Sequence, residues 1–333
     1  MLPLRIGIDN YCMYPTGMDP LDILRWAKRH GAEGVAFSGL HQEALEALDD
    51  VSISAIRSFI AENNMYLEWG GGQHIPVDMT TWQKKDIAKN NLAAARLAKH
   101  LGTTIIRSCS GGLMRWDPSS PPTEHFMHEM ALFLASQKQM LTDHGVILAI
   151  ETHFEFTTFE LLKVFEMCGA SPREYLGICL DTMNLMTMLE NPLYGTERIL
   201  PWVVSTHIKD GGILTTDSGL ITFPAAIGTG IIDLEGIIRL LISTGQHIHL
   251  SIEDHGGWID LPVHDPAFLS RFPDLRKEEY ESLLRLSELT NARMMNHSLS
   301  VTRREDWPEL WEQRLENDIV SLKDIVTRIT GHE

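Results

Sequence analysis

The sequence is poor in cysteine. Its four thiols stand at Cys12, Cys109, Cys168 and Cys179 in a chain of 333 residues, with no CxxC pair among them. That scatter excludes a disulfide framework or a cysteine-built zinc knot and suits reduced thiols in a cytosolic protein. Basic charge is short as well: 28 Lys and Arg stand against 45 Asp and Glu, a formal net charge of −17. A surface of that sign repels phosphate backbones and anionic lipid, which argues against nucleic-acid and membrane partners. Long apolar runs are missing, and no stretch approaches the ~20 residues that span a bilayer. The segment MLPLRIGIDNY reaches charge within a few residues and shows no signal-peptide core, so the expected address is the cytoplasm. Neither GxGxxG nor GxxxxGK[ST] follows the first strand-like segment, so the dinucleotide and P-loop fingerprints are absent too.

What is present is an alternation. Short apolar runs with β-branched residues lie at 4–10, 33–38, 64–69, 103–109, 146–153, 176–182, 203–209 and 247–255. Stretches with helical spacing separate them, for example 20–30, 82–101, 124–143, 159–168 and 234–244. Asp19 before Pro20 and Asp233 before Leu234 are cap signals, and Gly31, Gly102, Gly145 and Gly245 fall where helices should stop. Eight β-α units imply a parallel sheet, either open or closed. The strands favour closure. In 176–181 one parity is Leu, Ile, Leu and the other Gly, Cys, Asp; in 247–255 the split is Ile248, Leu250, Ile252 against His249, Ser251, Glu253, His255. In 203–209, Val204, Thr206 and Ile208 are expected to face outward. An open doubly wound sheet would be apolar on both faces, whereas one small or polar face fits a barrel interior. The expected fold class is therefore α/β, a (β/α)8 TIM barrel with a C-terminal helical extension.

The barrel is assigned to residues 1–296, with 277–294 a candidate for its eighth helix. Residues 297–333 are then a helical extension, packed on the barrel or serving a contact between copies in a homo-oligomer. The Pro- and Asp-rich run 256–274 is expected to be a long loop above the barrel. The run 211–230 is long for a β-α connection, open to reading as a lid or as an irregular loop.

Chemistry in such a barrel belongs at the C-terminal ends of the strands. Four consecutive strands end there in a metal-competent residue of the inward parity: Glu151, Asp181, His207 and Glu253. Three carboxylates and an imidazole suit one divalent ion, Mn, Mg or Co, with Zn also compatible. A substrate carbonyl on such an ion is polarised toward an enediolate, and a glutamate on either side can move protons.

The order Glu, Asp, His, Glu, with His207 inside H-x-K-D and Gly228-Thr229-Gly230 ahead of Asp233, resembles the xylose-isomerase-like sugar isomerase/epimerase superfamily, in particular its hexulose 3-epimerase-like members. The resemblance implies that Glu151 and Glu253 are at once metal ligands and the catalytic acid/base pair. Those relatives often carry Asp-x-x-His where this chain has Asp181 and Asn184; Asn can hydrogen-bond a substrate hydroxyl but cannot shuttle a proton. The leading expectation is a metal-dependent isomerase or epimerase of a ketose or related carbonyl sugar. The alternative is a dehydratase or decarboxylase of an oxo-sugar acid. A related abasic-site endonuclease needs three zinc ions and further His ligands that are missing here.

Further substrate candidates share the inward parity: His153 two residues beyond Glu151, His255 two beyond Glu253, and Lys209 two beyond His207. Lys209 reads either as a substrate anchor or as a partner of Asp210. Arg107 either clamps an anionic substrate group or neutralises the metal carboxylates. Asp9, Trp69, His74, Trp116 and Trp258 are candidate pocket walls.

Overall fold

The computed structural model describes residues 4–40, 44–45 and 47–331. The chain runs β1 (Ile6–Asp9), α1 (Pro20–Arg29), β2 (Gly34–Phe37), α2 (Asp50–Asn63), β3 (Tyr66–Gly72), α3 (Ala88–Leu101), β4 (Ile105–Ser108), α4 (Thr123–His144), β5 (Ile147–Glu151) and α5 (Thr158–Met167). It continues with β6 (Leu176–Asp181), α6 (Asn184–Thr187), α7 (Pro192–Ile199), β7 (Val203–Ile208), β8 (Asp210–Thr215), β9 (Leu220–Ala225) and α8 (Leu234–Ser243). The last elements are β10 (Leu250–Ile252), β11 (Ile259–Leu261), α9 (Pro266–Leu269), α10 (Lys277–Met295) and α11 (Trp307–Thr330). Strands β1–β7 and β10 close into one parallel barrel, in the order β1-β10-β7-β6-β5-β4-β3-β2. Among the described residues no helix is long and apolar enough to cross a membrane.

The local signals act as their chemistry demands. Asp19 accepts from Asp22 N and Asp233 from Gly236 N, each satisfying a helix-start donor. Gly102 and Gly145 end α3 and α4 in the left-handed conformation. The barrel floor is filled by Tyr66, whose hydroxyl lies 2.8 Å from Ser251 Oγ while its ring stacks on His249 at 3.9 Å. A Cβ at Gly7 or Gly34 would collide with that ring, so glycine is needed on two neighbouring strands. With the floor plugged, the opposite end is left for a ligand.

Four regions depart from the expected layout. The helix expected over 82–101 begins only at Ala88, because Val77 and Lys84 form an antiparallel bridge and Trp82 takes a left-handed turn, φ 56°. The run 211–230 is not an irregular loop. β8 and β9 form an antiparallel hairpin, and β11, inside the supposed loop 256–274, adds a third strand. Val204 faces inward with Ala149 and Cys179, because the β6–β7 register slips between Ile178 and Cys179.

The two C-terminal helices exchange roles. α10 packs on β8, whereas α11 packs against α8, β1 and β10 and so fills the eighth helical position. Its Trp307, Leu315, Ile319 and Leu322 are fully or almost fully buried in the same core as the strands. The apolar face of α10 is spent on the hairpin, which leaves that groove to α11.

Candidate metal centre and its cavity

Register brings the four candidate ligands together. Glu151 and Asp181 are the last residues of β5 and β6, His207 lies opposite Asp181 on β7, and Glu253 follows β10. All four are buried, and their ligand atoms lie within 4.8 Å of one another. His207 Nδ1 is 3.4 Å from Glu151 Oε1 and 3.0 Å from Glu253 Oε2.

Neighbouring residues hold several of these candidate ligands in place. On the far side of the His207 ring, Nε2 is 3.3 Å from Asp9 Oδ2, and Ser38 Oγ donates to that same oxygen. Asp181 Oδ1 accepts from Met183 N and Asn184 N, both at 3.0 Å, which turns Oδ2 toward the centre. Thr152 Oγ1 donates to Asp181 O and accepts from Asp181 N; Thr182 does the same for the backbone of Lys209. The two threonines each follow a ligand directly and stitch its strand end to the next strand. Such supports fix ligand orientation and basicity.

The charges around the centre are lopsided. Lys209 Nζ lies 2.9 Å from both Asp181 Oδ2 and Glu253 Oε2, and Arg107 Nη2 closes on Glu151 Oε2. Burial opposes the ionisation of Glu151, but Arg107 and His207 outweigh it and hold that carboxyl at about 2. Glu253 is likewise held low against burial by Lys209 and His207, whereas burial wins at Asp181 and raises it. Burial would keep His207 neutral, yet Cys179, Glu253, Glu151 and Asp9 around it raise it well above its usual value. A cluster that draws a proton onto its only imidazole has a surplus of negative charge. Asp181 Oδ2, His207 Nδ1 and Glu253 Oε2 are buried, and beyond Lys209 and one another they find no well-aligned hydrogen-bond partner. Convergent, underbonded O and N donors with surplus negative charge fit a divalent cation.

A cavity of about 490 Å³ opens above these residues. Arg107, His153, Asn184, Lys209 and His255 all line it, as does Trp258. Both polar atoms of the Asn184 side chain are buried and without partners. Asp210 does not pair with Lys209. It accepts instead from the backbone N–H groups of Gly211, Gly228, Gly230 and Ile232. Of the other expected pocket walls, Asp9 stands behind His207, Trp69 packs on Phe37, His74 bonds Ser108, and Trp116 donates to Asp260 O. None of these four lines the cavity.

The sequence reading passed over Tyr11, Ser38, Cys109, Glu155 and Arg304. Arg304 comes from the short turn before α11. It lines the cavity, donates to Tyr11 OH at 2.7 Å, and lies 2.6 Å from His255 Nδ1. Burial and Lys209 push His255 down to about 3, which keeps its ring neutral. No signal in the sequence brings residue 304 to the end of β10. The threonines after Glu151 and Asp181, by contrast, were visible as a repeated ligand-Thr pair.

A family model described as a xylose isomerase-like TIM barrel matches residues 24–286. The chain is 22% identical to a 3-oxo-isoapionate decarboxylase of Pectobacterium atrosepticum, over 77% of this chain and 87% of that protein. It is 23% identical to a 3-dehydroshikimate dehydratase of Bacillus anthracis, over 66% and 78%. A solved L-ribulose 3-epimerase superposes with a TM-score of 0.60 at 18% identity, covering 87% of this chain and 99% of the other.

Proposed function

The chain belongs to the xylose isomerase-like TIM-barrel family, and from that premise we propose that it is a divalent-metal-dependent lyase acting on a polyhydroxylated oxo acid. The observation that carries this reading is the placing of two arginines on one cavity. Arg107 occupies Glu151 Oε2, so that glutamate is poorly available as the second proton-transfer base an epimerase needs. Arg304 stands half-buried on the same cavity, and no carboxylate among the described residues pairs with it. A guanidinium so placed is suited to receive a substrate carboxylate. The relatives in sequence are named as a decarboxylase and a dehydratase, which points the same way.

Glu151, Asp181, His207 and Glu253 would hold the ion, with Mn, Mg, Co or Zn all compatible with the donor set. When bound, it supplies Lewis-acid polarisation of a substrate carbonyl. Lys209 and the Asn184 amide then face the oxygens of the substrate, and Arg304 with Tyr11 anchors its acid end. If the C–C bond to a carboxyl breaks, carbon dioxide departs and the electron pair passes into the carbonyl as an enolate. His153, backed by Glu155 at 3.1 Å, returns the proton. If instead a hydroxyl β to the carbonyl leaves, His153 supplies the proton that makes it water, and a carboxylate takes the α-proton.

A second reading, isomerisation or epimerisation of a ketose, is favoured by one observation: Glu151 and Glu253 reach the same centre. Incubating the metal-loaded protein with ketoses and oxo-sugar acids in D2O separates the two by NMR. Release of carbon dioxide or water from an acid is the expected result. Deuterium exchange beside a ketose carbonyl, with neither released, would replace the lyase reading with the second one.

A further inference from the structure

One tier above the metal centre, a second cluster of ligand-type side chains borders the same cavity. Cys109 lies just beyond β4 and His153 just beyond β5, each two residues on from Arg107 and Glu151. With Glu155 they bring a sulfur, a ring nitrogen and a carboxylate oxygen within 4.8 Å of one another. Glu155 is only 1% exposed. Among the described residues His153 is the only basic side chain paired with it, at 3.1 Å. A buried carboxylate with no Arg or Lys partner favours a cation beside it.

The chain after Cys109 is shaped around that carboxylate. Gly112 N donates to Glu155 Oε1 at 2.6 Å, and Gly111 takes φ +99° with its missing Cβ directly over Glu155 Cγ. The loop therefore fixes one carboxylate oxygen beside Cys109 and His153. Both of those line the cavity, so an ion and a fourth ligand from solvent can reach them.

We propose that Cys109, His153 and Glu155 form a second cation site, selective for a thiophilic divalent ion of the zinc class, with water as its fourth ligand. One thiolate, one imidazole and one carboxylate make a softer donor set than that of the first centre, and three protein ligands plus water is an open zinc geometry. On binding, the Cys109 S–H bond breaks, the proton goes to solvent, and the sulfur lone pair forms the bond to the ion. Magnesium and manganese gain little from sulfur, so they leave the site alone. An ion there also takes His153 out of proton transfer, so zinc beyond the first equivalent inhibits turnover. That last consequence rests on the role proposed above for His153; the site itself does not.

Cobalt(II) titration of the whole chain tests the site independently of activity. At Glu151, Asp181, His207 and Glu253 cobalt has only oxygen and nitrogen ligands and gives weak visible bands. At Cys109 it adds an intense near-ultraviolet thiolate charge-transfer band. The expected result is two equivalents, with the charge-transfer band lost in Cys109→Ser and the visible bands of the first equivalent kept. On the unsubstituted protein, zinc should slow alkylation of Cys109 by iodoacetamide roughly tenfold relative to magnesium. Absence of the band, its survival in Cys109→Ser through Cys179 or Cys12, or alkylation indifferent to zinc would overturn the proposal. Loss of the visible bands alone would instead indict the first centre.

Discussion

Asp9 Oδ2 sits 3.3 Å from His207 Nε2, and so the Nδ1 of that ring faces Glu151 and Glu253. Asp9 is fully buried and lines no part of the cavity, which gives it a positioning role. Asp9→Asn should lower manganese affinity by roughly 10–100-fold while leaving the fold intact. Calorimetry and circular dichroism check this together. Unchanged affinity would mean that the ring is oriented by packing alone.

Arg304 should matter to an acid substrate and little to the fold. Arg304→Gln is expected to raise KM for an oxo acid by roughly 10–100-fold with kcat largely kept, and Arg304→Lys to recover part of the loss. A fall in kcat at constant KM would move Arg304 from anchoring into the chemistry.

The eighth helix is the point at which sequence periodicity misled. Residues 277–295 and 307–330 are both amphipathic, and spacing alone cannot tell which groove each will fill. Trp307 settles it in the structure: it is fully buried and donates through Nε1 to Cys12 O at 2.8 Å. Trp307→Ala should cost about 3–5 kcal/mol in urea unfolding. We propose further that 297–333 completes the barrel and is not a separable extension, so a chain ending at residue 296 should not fold cooperatively. A stable truncated chain would restore the division at 296.

Buried Asp318 makes stability depend on pH. Burial lifts its carboxyl from the ordinary 3.8 to about 8, against the pull of Arg314. Between those values the folded chain keeps a proton that the unfolded chain has released. The contribution is therefore full below about pH 4 and gone once pH has risen through about 8. Asp318→Asn can still accept from Ile227 N, which now bonds Oδ1 at 2.8 Å, but it cannot ionise. Near pH 9 the variant should be more stable than the parent by several kcal/mol, at most about 6, with the difference vanishing toward pH 4. Parallel unfolding curves across that range would contradict the assignment.

The convergence of the four candidate ligands at strand ends was legible because a barrel strand is its own ruler: parity assigns the face, and strand end assigns the depth. Glu151, Asp181, His207 and Glu253 needed nothing more. Val204 escaped parity because one slip of register between β6 and β7 turns it inward. The hairpin β8–β9 was hidden by its own glycines, Gly211 and Gly212, which read as loop although the turn at 216–219 separates two pairing strands. Arg304 and the backing of His207 by Asp9 depend on contacts between segments far apart in the chain, and no local pattern encodes them.

The central claim is that these four side chains bind one divalent cation. Manganese titration of chelator-stripped protein, followed by calorimetry, tests it most directly, because manganese avoids the Cys109 cluster. One equivalent should bind, and Asp181→Asn, His207→Ala and Glu253→Gln should each abolish or severely weaken it. No binding to the parent protein, or an equivalent that survives all three substitutions, would contradict the account.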